Sequence, residues 1–417
     1  NALTHAAWSI FRRNVGPSYT NIAIMGAVVT ASAAEILHIP FLLDYARRRL
    51  QAIHDSVALN GSFNEYNSPT YTVVAIEELD RLARLVEDSV CRQTAEGLWR
   101  HAWELVCEHF HPATAQWAGP HSRAYSDYLS GRTARWLTNA IGRDIRPVQD
   151  ERIEKDQPGD ILPRRCPSNL RARFDRLPKP EVTVVRNFIK RAAGHTTGTT
   201  WMDDTACLAT VNRECTWVQR RFLLAYWLTG EDVAMLKMAV LMNEREFPGF
   251  IVNQQQDGIC VLTVMQPVFG TGEYHPSLNT VADGRFSVSD LRIRYELRSK
   301  AAAGTQHADG SFILSAGGRH AVIRPASCLF NAMPITWRVM QSHGAASLDG
   351  LIYSGQPQVI DFSIATMQAA IGLELVKDPA DASTEQPLTS VDAQGILKAE
   401  WRGLAVATPT AASRFEW

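Results

Sequence analysis

The chain lacks the signatures that most directly assign a function. Its seven cysteines, Cys91, Cys107, Cys166, Cys207, Cys215, Cys260 and Cys328, include no C-x-x-C pair, which argues against a structural zinc site and against a small disulfide scaffold. The count is odd, so at least one thiol is free. Cationic charge is not in excess either: 42 Lys+Arg face 43 Asp+Glu, and nothing draws the chain to phosphate backbones or anionic lipid. Nucleic acid and membrane are therefore not expected as partners. No apolar run suits a bilayer span of about 20 residues. The longest near the N-terminus, 22–37, is interrupted by Ser32 and Glu35 and reads as a buried helix. G-x-x-x-x-G-K-[ST], G-x-G-x-x-G after a strand and H-E-x-x-H are all absent, so no cofactor is expected. His109-x-His111 has no further carboxylates and is a weak metal candidate. No cleavable leader follows Asn1, so a leader is absent or has been removed. The Asn60-Gly61-Ser62 sequon is compatible with secretion.

What is present is a large, foldable chain. Its 417 residues, 46% hydrophobic, suffice for two domains or one large one. Up to about residue 140 the pattern is helical. Val73, Ile76, Leu79, Leu82, Leu85 and Val86 recur at three- and four-residue steps, which predicts an amphipathic helix over 69–90, N-capped by Ser68 with Pro69 at its first position. Leu98, Trp99, Ala102, Trp103, Leu105, Val106 and Phe110 repeat that spacing, as do 22–37 and 42–53. Short connections suggest antiparallel hairpins. Over 143–180 the stripe is lost: Pro147, Pro158, Pro163, Pro167, Pro178 and Pro180 are interleaved with charge, and this reads as a linker.

Beyond it the period becomes two. Leu291, Ile293, Tyr295 and Leu297 alternate with Arg292, Arg294, Glu296 and Arg298, the pattern of a half-buried strand. Phe312-Ile313-Leu314 and Ala321-Val322-Ile323 flank Gly317-Gly318, a pair able to make a hairpin turn. Single strands are expected at 221–228, 234–242, 258–268 and 396–406. The predicted fold is α+β: a helical domain over 1–142, a linker over 143–180 and an antiparallel β-sandwich over 181–417.

Two segments concentrate polar and aromatic groups at helix junctions. In the first, 60–71, Asn64, Glu65, Tyr66 and Asn67 precede a helix N-terminus that favours an anion. The second holds His109, His111, Trp117, His121, Arg123, Tyr125 and Asp127. A helix opening after Pro120 would place His121 and Tyr125 on one face. Histidine, arginine and tyrosine together can supply a proton acceptor, an anion clamp and a proton donor, and Trp117 can stack on a sugar ring. Consecutive hairpins would present both segments on one rim. Farther along, Arg220, Arg221 or His275 of the Tyr274-His275 loop could reach a cleft. The simpler reading is that Asp203-Asp204 cap a turn and the arginines solvate a strand.

The stretch Gly61-Ser62-Phe63, a polar loop, then Thr70-Tyr71-Thr72 entering a helix resembles the Gly-Ser-Phe…Tyr-Thr-Gly stretch of hyaluronate and chondroitin lyases. The resemblance spans residues 60 to 76. It implies an α/α toroid followed by antiparallel β-sheet, and a toroid incomplete in a helical region this short. In the same alignment the family's catalytic histidine falls at Tyr66 and its catalytic tyrosine at Ala75. The activity implied is β-elimination on a uronic-acid-containing glycan, with an acidic oligo- or polysaccharide as partner. In that reading His121 and Tyr66 transfer protons, with Tyr125 available, and Asn64, Asn67 and Arg123 hold the sugar carboxylate; Trp117 and Arg221 add substrate contacts. A glycoside hydrolase would instead need Glu65 with Asp127 or Asp204, and a non-catalytic carbohydrate-binding protein would use the same side chains only to bind.

Overall fold

The computed structural model describes residues 2–146, 165–192, 194–230, 232–270 and 284–414. Pro147, Pro158, Pro163, Tyr274 and His275 lie outside the described residues. The fold is α+β, with helices first and mostly antiparallel sheet afterwards. Two compact units divide the chain. Asn1–Trp117, His121–Pro180 and Val184–Thr197 form one; Ala118–Pro120, Glu181–Thr183 and Gly198–Trp417 form the other.

In the first unit α1 is Ala2–Arg13, α2 Thr20–Ile36, α3 Pro40–Asn60, α4 Tyr71–Leu85, α5 Ser89–His109 and α6 Gly131–Ile141. The apolar run 22–37 is the buried helix α2. Gly26, Ala27, Thr30, Ala31, Ala33 and Ala34 line it with small side chains, so α1, α3 and α4 can all pack against it. A polar side chain survives there because the Thr30 hydroxyl donates to the Gly26 carbonyl at 2.7 Å. Pro40 opens α3, and Gly61, at φ 87°, closes it in the left-handed conformation that glycine adopts without strain.

Two helix predictions need correction. The run 69–90 is not one helix: α4 begins two residues after Pro69 and stops at Leu85. Asp88 then caps α5, its side chain accepting from the Cys91 N–H at 2.9 Å. Ser68 does serve the α4 start, accepting the Tyr71 N–H at 3.1 Å. No helix follows Pro120; 121–129 is irregular and α6 starts at Gly131, capped by Ser130. Within the expected linker, Ser168–Phe174 forms a 3-10 helix, and Phe174 packs into the helical core against Trp103 and Phe110.

Among the described residues the second unit holds one nine-stranded sheet, most of another and a three-stranded one. One large sheet runs in the order Ala303–Gln306, Phe312–Ala316, Arg319–Phe330, Met367–Val376, Cys260–Phe269, Phe250–Asp257, Arg213–Cys215. The other centres on Arg285–Arg298, paired with Val233–Met242 on one side and Ala345–Asp361 on the other. Leu291, Ile293, Tyr295 and Leu297 of that strand share a core with Ile323, Ile371 and Leu373 of the first sheet, burying the apolar face that the two-residue period announced. Phe312–Ala316 and Arg319–Phe330 form the expected hairpin across Gly317, whose φ is 59°.

The other face of Arg285–Arg298 is less exposed than its charges suggest. Asp349, fully buried on the neighbouring strand, accepts from Arg292 at 3.0 Å and from Arg294 at 2.7 Å. Where a single strand is expected over 396–406, Ile396–Trp401 and Leu404–Pro409 form an antiparallel hairpin. Arg220 and Arg221 do not solvate a strand. Both are buried: Arg220 lies 3.5 Å from Glu214, and Arg221 donates to the carbonyls of Val218 and Arg220. Asp203 does cap its turn, accepting from the Thr205 and Ala206 N–H groups, and it also pairs with Arg319.

Candidate functional site

The loop before α4 and the irregular 121–125 segment both belong to the helical unit, and main-chain bonds join them. Asn67 turns the loop at a left-handed φ of 42°, a conformation asparagine tolerates better than most residues. Its carbonyl accepts from His121 Nδ1 at 2.6 Å. The Tyr66 carbonyl accepts from the Ser122 N–H at 3.2 Å and the Ser122 hydroxyl at 2.6 Å. The Ser68 hydroxyl donates to the Arg123 carbonyl at 2.6 Å. These bonds explain the missing helix: the 121–123 backbone is committed to the loop, not to an i to i−4 ladder.

The predicted residues separate into an interior and a rim. Tyr66, His121, Asn67, Glu65 and Trp117 are buried. The Tyr66 ring stacks on Phe188 with centroids 4.3 Å apart, and Trp117 belongs to the helical core, its indole N–H donating to the Asn67 side-chain oxygen at 2.6 Å. Because a carbonyl oxygen can only accept, His121 Nδ1 carries a proton and donates it to Asn67. Asn64 is half-buried, its Oδ1 accepting from Ser56 and Asn60. Arg221 lies in the second unit, as do Asp203 and Asp204.

Toward the surface stands a group the sequence reading only partly named. Arg123, 5% exposed, lies 3.5 Å from Glu65 and places its guanidinium 5.0 Å from the centre of the Tyr71 ring. Its Nη2 donates to the Tyr71 hydroxyl at 3.3 Å. The Tyr71 hydroxyl is in turn 2.5 Å from that of Tyr125, which is 58% exposed. Burial and the Tyr125 hydrogen bond push the Tyr71 phenol up to about 12 against the opposing pull of Arg123. Tyr71 is therefore neutral at ordinary pH, a proton donor in kind. Arg123 thus donates to Tyr71, and the Tyr71 and Tyr125 hydroxyls share one hydrogen bond in which either can be the donor, which links the buried guanidinium to an exposed phenol. Tyr71 was missed as a site residue because its partners are more than fifty positions away. The only local signal was an aromatic residue at the end of a polar loop.

The metal candidate dissolves into ordinary bonds. His109 Nδ1 lies 2.8 Å from the Leu105 carbonyl, and His111 Nδ1 the same distance from the Thr114 hydroxyl. Burial pushes the His109 imidazole down from its usual range. Among the described residues no group of three His, Cys, Asp or Glu side chains is gathered for an ion.

Residues 7–162 match a family model described as a domain of unknown function (DUF8769). No curated protein matches the chain. Six chains of solved structures do, among them the crystal structure of heparinase III, with 8% sequence identity, 93% of this chain and 67% of that chain covered, and a TM-score of 0.34.

Proposed function

We propose that the chain is a carbohydrate-active enzyme that cleaves a uronic-acid-containing polysaccharide by β-elimination, on an incomplete α/α toroid followed by a β-sandwich. Such a reaction needs three things: a neutralised sugar carboxylate, a base for the C5 proton and an acid for the O4 leaving group. The observation that carries the reading is the hydrogen-bonded run from Arg123 through Tyr71 to the exposed Tyr125 hydroxyl. An exposed phenol there suits protonation of a leaving oxygen by Tyr125, with neutral Tyr71 hydrogen-bonded behind it. Arg123, oriented by Glu65, supplies positive charge for the carboxylate. His121, whose Nδ1 is held by the Asn67 carbonyl, is assigned as the base. Asn64 adds a polar group at the rim, and Tyr66, Asn67 and Trp117 hold the loop in place. Tyr125 takes the acid role first assigned to Tyr66, since Tyr125 is exposed while the Tyr66 ring is stacked on Phe188.

Product spectroscopy tests this over a panel of acidic glycans. Elimination leaves a 4,5-unsaturated uronide that absorbs in the near ultraviolet. Tyr125→Phe should lower kcat by about 10²–10⁴-fold, the usual worth of a positioned acid. A new reducing end without that absorption, abolished in Glu65→Gln, would replace the lyase with a hydrolase. Binding without any product would make the chain a carbohydrate-binding protein.

A further inference from the structure

The helical unit also carries an open pocket of about 410 Å³ whose lining includes Asn14, Ala23, Tyr45, Arg48, Arg49 and Ile53. Two arginines line it, and no carboxylate does. Arg49, on α3, is 7% exposed. Its Nε donates to the Ala23 carbonyl at 2.9 Å, Nη1 to the Tyr45 hydroxyl at 2.9 Å and to Asn14 Oδ1 at 3.4 Å, and Nη2 to the Val15 carbonyl at 2.7 Å. All four acceptors are neutral. Neighbouring Arg47, by contrast, is paired with both Asp44 and Asp88.

Pinning the turn between α1 and α2 accounts for the hydrogen bonds of Arg49 but not for its charge. A guanidinium remains cationic in a protein, and a buried charge is costly unless an opposite charge meets it. Arg48 is exposed and makes no hydrogen bond or ion pair among the described residues. Ala23 and Ile53, both buried, add apolar lining beside the cations, and the volume falls in the range of small-molecule sites, about 300–1,000 Å³.

We infer that this pocket binds a small organic carboxylate, its anion held by the Arg48 fork in the field of Arg49 and its apolar body against Ala23 and Ile53. Arg49 has committed most of its N–H groups, so Arg48 supplies the paired donors that match a carboxylate. The site shares no residue with the Tyr71–Tyr125 group, and either assignment can fail without the other.

Isothermal titration of the full chain with benzoate tests the inference, with inorganic phosphate as the comparison anion. Wild type should bind one benzoate saturably, more tightly than phosphate. Arg48→Gln, at an exposed position outside the fold's hydrogen bonding, should keep the wild-type circular dichroism and weaken benzoate binding roughly ten- to hundredfold, the worth of a hydrogen bond to a charged group. Ala52→Trp, which fills the pocket wall from an exposed position, should abolish binding. The inference is overturned if wild type gives no saturable benzoate binding. It is equally overturned if Arg48→Gln binds benzoate as tightly as wild type, or if phosphate binds as well as benzoate.

Discussion

Ser122 donates twice to one acceptor, the carbonyl of Tyr66, through its backbone N–H at 3.2 Å and its hydroxyl at 2.6 Å. This double bond to one oxygen, together with the Ser68 to Arg123 bond, holds the 60–71 loop against the 121–125 segment and so sets the distance between Tyr71 and Tyr125.

The two serines should differ in cost. Ser122→Ala leaves the Tyr66 carbonyl its main-chain donor, so the loss should be about 0.5–1.5 kcal/mol, that of one hydrogen bond. Ser68→Ala removes both the bond to the Arg123 carbonyl and the acceptor for the Tyr71 N–H. Loss of a helix cap and a buried donor together should cost about 1–3 kcal/mol. Urea unfolding of both variants checks the order; equal values would mean that Ser68 contributes only one of its bonds.

The sequon should stay bare. Asn60 is 6% exposed, its amide nitrogen donates to the Ser56 carbonyl at 2.7 Å, and its oxygen accepts the Lys190 N–H at 2.9 Å. A Cβ on the following Gly61 would stand 2.7 Å from the Asn187 carbonyl, so the surroundings leave no path for a sugar. Folded protein made through a glycosylating secretory route should show the unmodified mass over 60–62. A glycan there would mean that the helix α3 terminus is open in solution.

Local periodicity carried much of the fold and little of the site. The strand Arg285–Arg298 was legible because burial acts on every second residue, and α2 because a run of small apolar side chains has no other soluble use. The break at Pro120 misled: a proline can open a helix, yet the backbone of Ser122 and Arg123 finds better partners in Tyr66 and Ser68, more than fifty residues away. Arg220 and Arg221 misled for a different reason. Surface is the ordinary place for arginine, yet partners close in sequence, Glu214 for Arg220 and the Val218 carbonyl for Arg221, hold these two in a buried turn. The joint presence of Asn64, Asn67, His121 and Arg123 was readable as polar composition at helix junctions. The pairing of Tyr71 with Tyr125 was not, since nothing in either neighbourhood specifies the other.

The thiols should be slow to react. Burial pushes Cys91, Cys207, Cys215 and Cys328 up to about 12, and Cys107 is raised by a hydrogen bond with the Cys166 thiol and by burial. Cys260 is half-buried and raised less, to about 11, chiefly by burial and Glu374. The thiolate is the reactive form, so native protein at mildly alkaline pH should be alkylated first at Cys260 and at the buried positions only after denaturant is added. Peptide mapping reads the order, and fast labelling of Cys107 in the native protein would contradict the packing of α5 against the 3-10 helix.

Acid should weaken the start of α5 through Asp88. Its carboxylate accepts from Arg47 at 2.5 Å and 3.3 Å and from the Cys91 N–H at 2.9 Å. The Arg47 hydrogen bond, aided by the backbone and opposed by burial, holds the Asp88 carboxyl down at about 2, against an unfolded value near 3.9. A folded-state pKa below the unfolded one means that the unfolded chain binds the proton first as pH falls. The stabilisation is therefore complete above about pH 5, declines below pH 4 and is lost as pH drops through about 2. Arg47 is partly exposed, so solvent screening limits the ion pair, and Asp88→Ala should cost about 1–2 kcal/mol at neutral pH, most of it from the cap. Asp88→Asn keeps a capping oxygen and removes the charge, so it should lose only the smaller, ionic part. Thermal unfolding across the acid range separates the two contributions. The gap between wild type and Asp88→Asn should close as pH approaches 2, while the gap between Asp88→Asn and Asp88→Ala should persist. A wild-type to Asn difference that does not change with pH would show that the Arg47 pair contributes nothing to stability.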